Sequence, residues 1–480
     1  MTKARVWLTV AFLVCPSEVM PEPAPPAKKP NIVFILADDF SMNLVQYMPN
    51  LLAMQKEGTT FSRYFVTDSL CCPSRSSIFT GKFPHNTGVF KNTGSDGGYD
   101  AFNVHGNESQ TFAVALQRAG YKTAMLGKYL NGYFPIRNGV PKGWDEWDVA
   151  GAGYAEFNYR LNQNRKVVRY GSEEPAYLTD VASRLGIEFI RKAGRNPFFI
   201  EIATFAPHAP YIPAPRDADK FPGLVAPRTA AFAARPDAAA PAWLKGIPPL
   251  VPMATKNINR AFRMRAQSVL AIDKMIGDIR SALAALGDEN TYIVFSSDNG
   301  LHMGEYSLRP GKMTPFDIDI NVPLIIVGPG VRKGSVVDQI VENVDLCPTF
   351  EELGGASSPK PLDGHSLVAL LRGTGNTDWR RMALIEHHGA PIVSPDDPDA
   401  PEKHSANPPS YEALRTEDGL YVEYETGEVS YYDLVQDPAE LRNIGAKLPD
   451  QKRQRLHEVL HANTRCQGAQ ACWDAQRMHL

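Results

Sequence analysis

Several groups of residues in this chain have types and spacings suited to chemistry. The first is Cys71-Cys72-Pro73-Ser74-Arg75, running on through Ser76-Ser77-Ile78-Phe79-Thr80 to Gly81. Short polar residues and a proline lead into an apolar pair and a glycine stop, which predicts a loop turning into a short helix that opens at the cysteines. Unpaired backbone N–H groups and the positive end of the helix dipole favour anions there. Arg75 stands at i+4 from Cys71, so its guanidinium shares that helical face. A nucleophile, an anion-friendly helix end and a permanent cation converge. As residue types alone, a cysteine pair also suits a buried core or a disulfide.

The remaining groups each follow an apolar run. Asn31–Ala37 ends in Asp38-Asp39; Lys122–Leu126 runs into Gly127-Lys128-Tyr129; Pro197–Ala203 precedes Ala206-Pro207-His208; Tyr292–Phe295 delivers Asp298-Asn299-Gly300, with His302 and Lys312 on the loop beyond. Adjacent carboxylates repel unless a cation lies between them, and acid plus amide oxygens are the ligands Ca²⁺ or Mg²⁺ selects. Lysine between glycines approaches a bound anion closely. Taken singly, a solvated turn, a surface lysine or a structural histidine explains each group. Their shared place at strand C-termini, where open α/β sheets bind ligands, is harder to explain that way.

The elements that must position these groups alternate. Helical patterns at Thr111–Ala119, Thr179–Ala193, Phe262–Leu283 and Cys347–Leu353 separate the apolar strands. This predicts an α/β fold: a mostly parallel sheet sandwiched by helices. Lys220–Pro252, rich in Ala and Pro, reads as an irregular insertion bordering the site. Val322–Val327 is a further strand. Beyond Gly373 the character changes: a Pro/Asp/Ser-rich segment, Pro391–Ser410, precedes short strands at Tyr411–Arg415, Leu420–Tyr424 and Val429–Leu434 and a helix at Gln451–His461. A small antiparallel sheet with a helix on it is expected. The division is 1–29 leader and Pro-rich lead-in, 30–373 catalytic domain, 374–480 C-terminal subdomain.

At 480 residues, 43% hydrophobic and 21% charged, the composition is that of a globular protein with a large core. A net charge of -3 favours neither nucleic acid nor an anionic membrane, so an anionic substrate must be met by local cations or a metal. Lys3 and Arg5 before the apolar run Val6–Val14 resemble an export signal, too short to span a bilayer. The expected location is secreted or periplasmic, and export would allow a small Cys466–Cys472 disulfide loop.

Cys-x-Pro-Ser-Arg resembles the modification site of the type I, formylglycine-dependent sulfatases. The doubled cysteine resembles the N-acetylglucosamine-6-sulfatase branch. Pro30-Asn31-Ile-Val through Asp38-Asp39, Gly127-Lys128-Tyr129, Ala206-Pro207-His208 and Asp298-Asn299-Gly300 are similar to the family over most of 30–370. The run from Leu414-Arg415-Thr416 to Asp437-Pro438, Glu440-Leu441 and Asn443 resembles its C-terminal part. The resemblance implies an alkaline-phosphatase-like fold and sulfate-ester hydrolysis on a sulfated sugar, such as 6-O-sulfated glucosamine, or an aryl sulfate. It implies that a formylglycine-generating enzyme converts Cys71 to Cα-formylglycine, with Ca²⁺ (or Mg²⁺) on Asp38, Asp39, Asp298 and Asn299. Arg75 would stabilise the aldehyde hydrate; Lys128, His208 and Lys312 would grip the sulfate. One hydroxyl of the hydrate attacks sulfur, and the second expels sulfate and restores the aldehyde. The chain departs from arylsulfatase-type members at Leu130, where a histidine is usual, and His302 is the expected substitute base. Two alternatives stand beside this: a phosphonate or phosphodiester hydrolase of the same superfamily, and an unmodified sulfoglycan-binding protein.

Overall fold

The computed structural model describes residues 1–4, 6–7, 28–358, 361–375, 378–389 and 400–480. Most of the apolar leader run, Cys15, the lead-in up to Ala27, and 391–399 of the polar segment lie outside the described residues. Among the described residues sixteen strands are formed: β1 Asn31–Ala37, β2 Thr59–Phe61, β3 Tyr64–Phe65, β4 Lys122–Lys128, β5 Glu146–Ala150, β6 Arg160–Gln163, β7 Lys166–Arg169, β8 Phe198–Ala203, β9 Thr291–Ser297, β10 Leu324–Val327, β11 Ser335–Val337, β12 Val341–Glu342, β13 Met382–His387, β14 Tyr411–Thr416, β15 Gly419–Tyr424 and β16 Val429–Asp433.

Ten of them make one sheet in the order β11-β2-β10-β9-β1-β8-β4-β5-β6-β7. Its centre, β9-β1-β8-β4-β5, is parallel throughout. All seven residues of β1 are buried. Ile32, Phe34 and Leu36 join the core on one face, and Val33, Ile35 and Ala37 the core on the other. A strand covered on both faces reads as an unbroken apolar run because both alternating sets must be apolar. Each fully buried Ile, Leu, Val or Phe contributes roughly 1.5–3 kcal/mol. Because the central strands are parallel, their C-terminal ends share one edge of the sheet. β10 runs antiparallel to both neighbours. The loop before it carries only the short helix Asp317–Ile320.

The long helix spans Pro252–Ala285, starting well before the apolar stripe read from sequence. Its opening turns (Lys256, Asn257, Asn259, Arg260) are polar and carry no stripe to read. The helix Cys71–Thr80 is buried at every position and closes on Gly81 at φ 65, a left-handed cap that glycine adopts without strain. Gly127 matters in another way: at φ +89, a Cβ there would stand 1.9 Å from the Ala203 carbonyl oxygen on β8. Gly127→Ala is therefore expected to destabilise the protein by at least about 3 kcal/mol, summing a strained φ and a forced parting of β4 from β8. Thermal or urea unfolding checks this; an unchanged midpoint would contradict it.

The antiparallel sheet is β13-β14-β15-β16. β13 was not legible as a strand; its short apolar run gains definition only by pairing with β14. Helix Asp450–Asn463 buries Leu456, Val459 and Leu460 against this sheet, and Cys466 and Cys472 form the disulfide. The conspicuous C-terminal motif residues tie this sheet to the body. Arg415 grips both Asp317 oxygens at 2.7 and 2.8 Å, and Glu440 accepts from the Asp317 backbone N–H. Among the described residues, no helix is long and apolar enough to cross a membrane.

Candidate active site

The shared edge of the parallel strands collects the predicted residues. Asp38 and Asp39 follow β1, Lys128 ends β4, His208 follows β8, and Asp298 and Asn299 follow β9. The helix Cys71–Thr80 is locked against the end of β9 by Ser74, whose hydroxyl donates to the Asp298 carbonyl at 2.5 Å. Asn343 in turn donates to the Ser74 hydroxyl at 2.9 Å. Lys312 reaches the same place because its loop is pinned beside the helix entrance, where the Met313 N–H donates to the Ser69 carbonyl at 3.1 Å.

The Cys71 sulfur lies 3.3 Å from Asp38 Oδ1 and 2.9 Å from Lys312 Nζ. Lys312 also holds Asp39 Oδ1 at 2.7 Å, and Lys128 holds Asp38 Oδ2 at 2.6 Å. Arg75 Nε donates to Asp298 Oδ2 at 2.7 Å, and its Nη1 donates to the Lys128 carbonyl at 3.1 Å. His208 Nε2 faces Asp39 Oδ2 at 3.6 Å, while Nδ1 meets the Ala209 carbonyl at 2.7 Å. A carbonyl only accepts, so Nδ1 carries a hydrogen and Nε2 is turned to the site.

Cys72 has a different surrounding. Its side chain belongs to the core, and burial pushes its thiol up to about 12. Its backbone N–H, one of the helix's open donors, is met by Asn92 Oδ1 at 2.9 Å. The geometry thus separates the two cysteines.

The donor set suits a hard divalent cation. Asp38, Asp39 and Asp298 gather with Asn299, whose Oδ1 is buried with no hydrogen-bond partner. Asp38, Asp39, Cys71 and His208 also present ligand atoms within 4.8 Å of one another. Burial pushes the Asp38 carboxyl up to about 6 against the pull of Lys128. Burial acts on Asp298 in the same direction, but Arg75, Lys128 and Lys312 outweigh it and hold that carboxyl at about 2. An orphaned acceptor beside three buried carboxylates is a place where a cation is favoured.

A cleft of about 630 Å³ opens onto this cluster through Asp39, Tyr154, His208 and Lys312. Its outer walls come from Tyr211, the start of the long helix, Arg309 and Glu402. The Lys220–Pro252 insertion does not line it, contrary to the expectation from sequence. That segment packs instead on the loop after β9, with Ala231 and Ala233 bonded to Tyr306 and Gly304.

Matching over 30–356 to the sulfatase family model, and over 304–466 to the C-terminal model described as N-sulphoglucosamine sulphohydrolase, decides what this arrangement belongs to. The chain belongs to the sulfatase family. It is 33% identical over 475 residues to the N-acetylglucosamine-6-sulfatase of Capra hircus, covering 92% of this chain and 84% of that one. The solved structure of BT4656 in complex with its substrate D-glucosamine-2-N,6-O-disulfate shares the fold at a TM-score of 0.75 and 24% identity, over 90% of this chain and 97% of that one. A phosphonate monoester hydrolase of Agrobacterium radiobacter shares it too, with TM-score 0.68 and 21% identity over 91% and 96% of the chains. The activity is sulfuric ester hydrolysis.

The sulfatase does not bring His302 to the cleft. The ring is fully buried, its Nδ1 is 2.9 Å from Asp319 Oδ2, and its backbone bridges Gly311. Leu130, at the departure from the usual pattern, is simply core. Two contributors, Tyr154 and Arg265, were missed. Tyr154 stands 4.6 Å ring to ring from His208, with Lys128 Nζ 5.1 Å from its face. Its loop, Gly151-Ala152-Gly153, gives no signal. Arg265, buried on the long helix, donates to the Asp39 carbonyl and holds that residue at φ 61, a left-handed conformation rare outside glycine. Of these only Arg265 was detectable, as a charge on an apolar helical stripe that also carries Asp273.

Proposed function

We propose that this sulfatase removes sulfate from 6-O-sulfated glucosamine units of glycans, using Cα-formylglycine at position 71. The observation that carries it is the Cys71 side chain set between the Asp38 carboxylate and Lys312, at the edge where the acids meet. The relatives named for N-acetylglucosamine-6-sulfatase activity support the sugar and its position. Formylglycine hydrate supplies two hydroxyls on one carbon, so that one can attack sulfur and the other can release sulfate. Ca²⁺ (or Mg²⁺), held by Asp38, Asp39, Asp298 and Asn299, supplies Lewis-acid polarisation and offsets the carboxylates.

With those acids offset, Lys128, Lys312 and His208 would meet the ester's oxygens, where negative charge grows as the S–O bond breaks. His208 is the histidine whose Nε2 is turned to the site, beside Asp39, so proton transfer falls to it and not to His302. Arg75 holds Asp298 and steadies the hydrate. Cys71 is fully buried in the folded chain. A formylglycine-generating enzyme would therefore act before folding. Beside this we place the protein as secreted or periplasmic, from the export-signal-like run at Val6–Val14, with leader 1–29, catalytic domain 30–373 and C-terminal subdomain 374–480.

Chelation by EDTA is expected to lower turnover by at least about 10²-fold, with Ca²⁺ or Mg²⁺ restoring it. Full activity after exhaustive chelation would remove the metal from the account. The substrate is tested by comparing 6-O-sulfated N-acetylglucosamine, nitrophenyl sulfate and nitrophenyl phosphodiesters. The sulfated sugar should give the highest kcat/KM. Preference for the phosphodiesters would favour the phosphonate-hydrolase reading, and binding without turnover the sulfoglycan-binding one.

A further inference from the structure

The C-terminal sheet carries a second convergence of ligating side chains, far from the nucleophile in sequence. Glu386 on β13 stands opposite Glu412 on β14, and Glu412 opposite Glu423 on β15. Three carboxylates therefore form a row across one sheet face, and like charges in directly opposed positions are unfavourable. At one end the row is offset: His85 Nδ1 lies 2.9 Å from both Glu386 oxygens. In the middle, burial and the flanking Glu386 and Glu423 push the Glu412 carboxyl up. At the other end Glu423 faces helix Asp450–Asn463, on which His457 and His461 are one turn apart.

His457 Nδ1 is 2.8 and 3.0 Å from the two Glu423 oxygens, and the rings of His457 and His461 are 4.3 Å apart. Donor atoms of Glu423, His457 and His461 all lie within 4.8 Å of one another. The buried Tyr421 hydroxyl donates to Glu423 Oε1 at 2.5 Å, fixing the carboxylate from behind. A plain surface ion pair accounts for His457. It leaves unexplained the second imidazole turned into the same space.

We infer that Glu423, His457 and His461 form a binding site for a divalent cation of the zinc class, which ties the end of β15 to the helix laid over it. Two imidazoles at i, i+4 on one helix face with one carboxylate are a donor set zinc accepts, water completing the tetrahedron. Metal–ligand distances of about 2.0–2.2 Å set tetrahedral ligand atoms roughly 3.3 Å apart, so a cation would part His457 Nδ1 slightly from Glu423 and draw in the donors that now stand within 4.8 Å of one another. The half-exposed His457 has room to do so. The Tyr421 hydrogen bond is the kind of outer support that orients a ligating carboxylate. The oxygen-rich site at Asp38 selects a harder ion, so the two sites are separable by metal.

The test titrates untagged protein with ZnCl₂ in excess Ca²⁺, by calorimetry. One zinc per chain is expected to bind the wild type and raise its thermal midpoint. His457→Gln, His461→Gln and Glu423→Gln should each weaken binding at least about ten-fold and abolish the thermal shift, and Tyr421→Phe should weaken it about ten-fold. Sulfatase turnover in Ca²⁺ should be unchanged in the exposed His457→Gln variant, showing that it folds. Equal zinc affinity in wild type and His457→Gln, or no zinc uptake by the wild type, would overturn the inference.

Discussion

Cys71→Ala is expected to lower sulfatase turnover by on the order of 10⁵-fold, while Cys72→Ala stays within about ten-fold of wild type. The side chains are adjacent in sequence but face opposite environments. Cys71 contacts Asp38 and Lys312; Cys72 lies in the apolar core with its thiol held protonated by burial. Removing the first deletes the reacting atoms. Removing the second trims one buried sulfur, at a stability cost of about 1–3 kcal/mol that unfolding measurements would register without a comparable loss of rate. Steady-state kinetics on the two purified variants decide it. Equal losses would mean that the helix, and not one side chain, carries the activity.

Arg75 gives the other large effect, and it reaches both folding and catalysis. The guanidinium is fully buried, donates to Asp298 and to the Lys128 carbonyl, and has Nη2 3.9 Å from Asp38. Deleting one partner of a buried ion pair strands the other, costing about 3–5 kcal/mol. Arg75→Ala is therefore expected to unfold at markedly lower urea and to lose at least about 10³-fold in kcat, since Asp298 and the β4 terminus are displaced together. Arg75→Lys should recover part of the stability and little of the rate. An ammonium is a point charge and cannot reproduce the planar fork that serves Asp298 and the Lys128 carbonyl at once. Near-wild-type kcat in a folded Arg75→Ala would refute this role.

Much of the site was legible because the fold enforces a simple rule. A central parallel strand must be apolar on both faces, so polar residues at its C-terminal end stand out sharply against β1, β4, β8 and β9. The helix start at Cys71 and its stop at Gly81 were likewise local properties of the chain. What failed depended on tertiary placement. His302 lies close in sequence to the Asp298-Asn299 pair, but its strand-like bridge to Gly311 turns the ring inward to Asp319. The insertion at Lys220–Pro252 has the composition of a surface loop, and nothing in composition says which surface it covers. The cleft walls at Tyr154 and Glu402 come from segments without periodicity or motif. Arg265 was the readable exception, a charge on the buried stripe of the long helix.

The central claim is that the nucleophile is a modified Cys71 and not a thiol. Mass spectrometry of the peptide containing Cys71, from protein made in its natural host, tests it most directly. The account predicts a peptide lighter by the difference between a CH₂SH and a CHO side chain, reactive toward aldehyde probes, with Cys72 intact. An unmodified thiol at Cys71 in protein that turns over sulfate esters would contradict it.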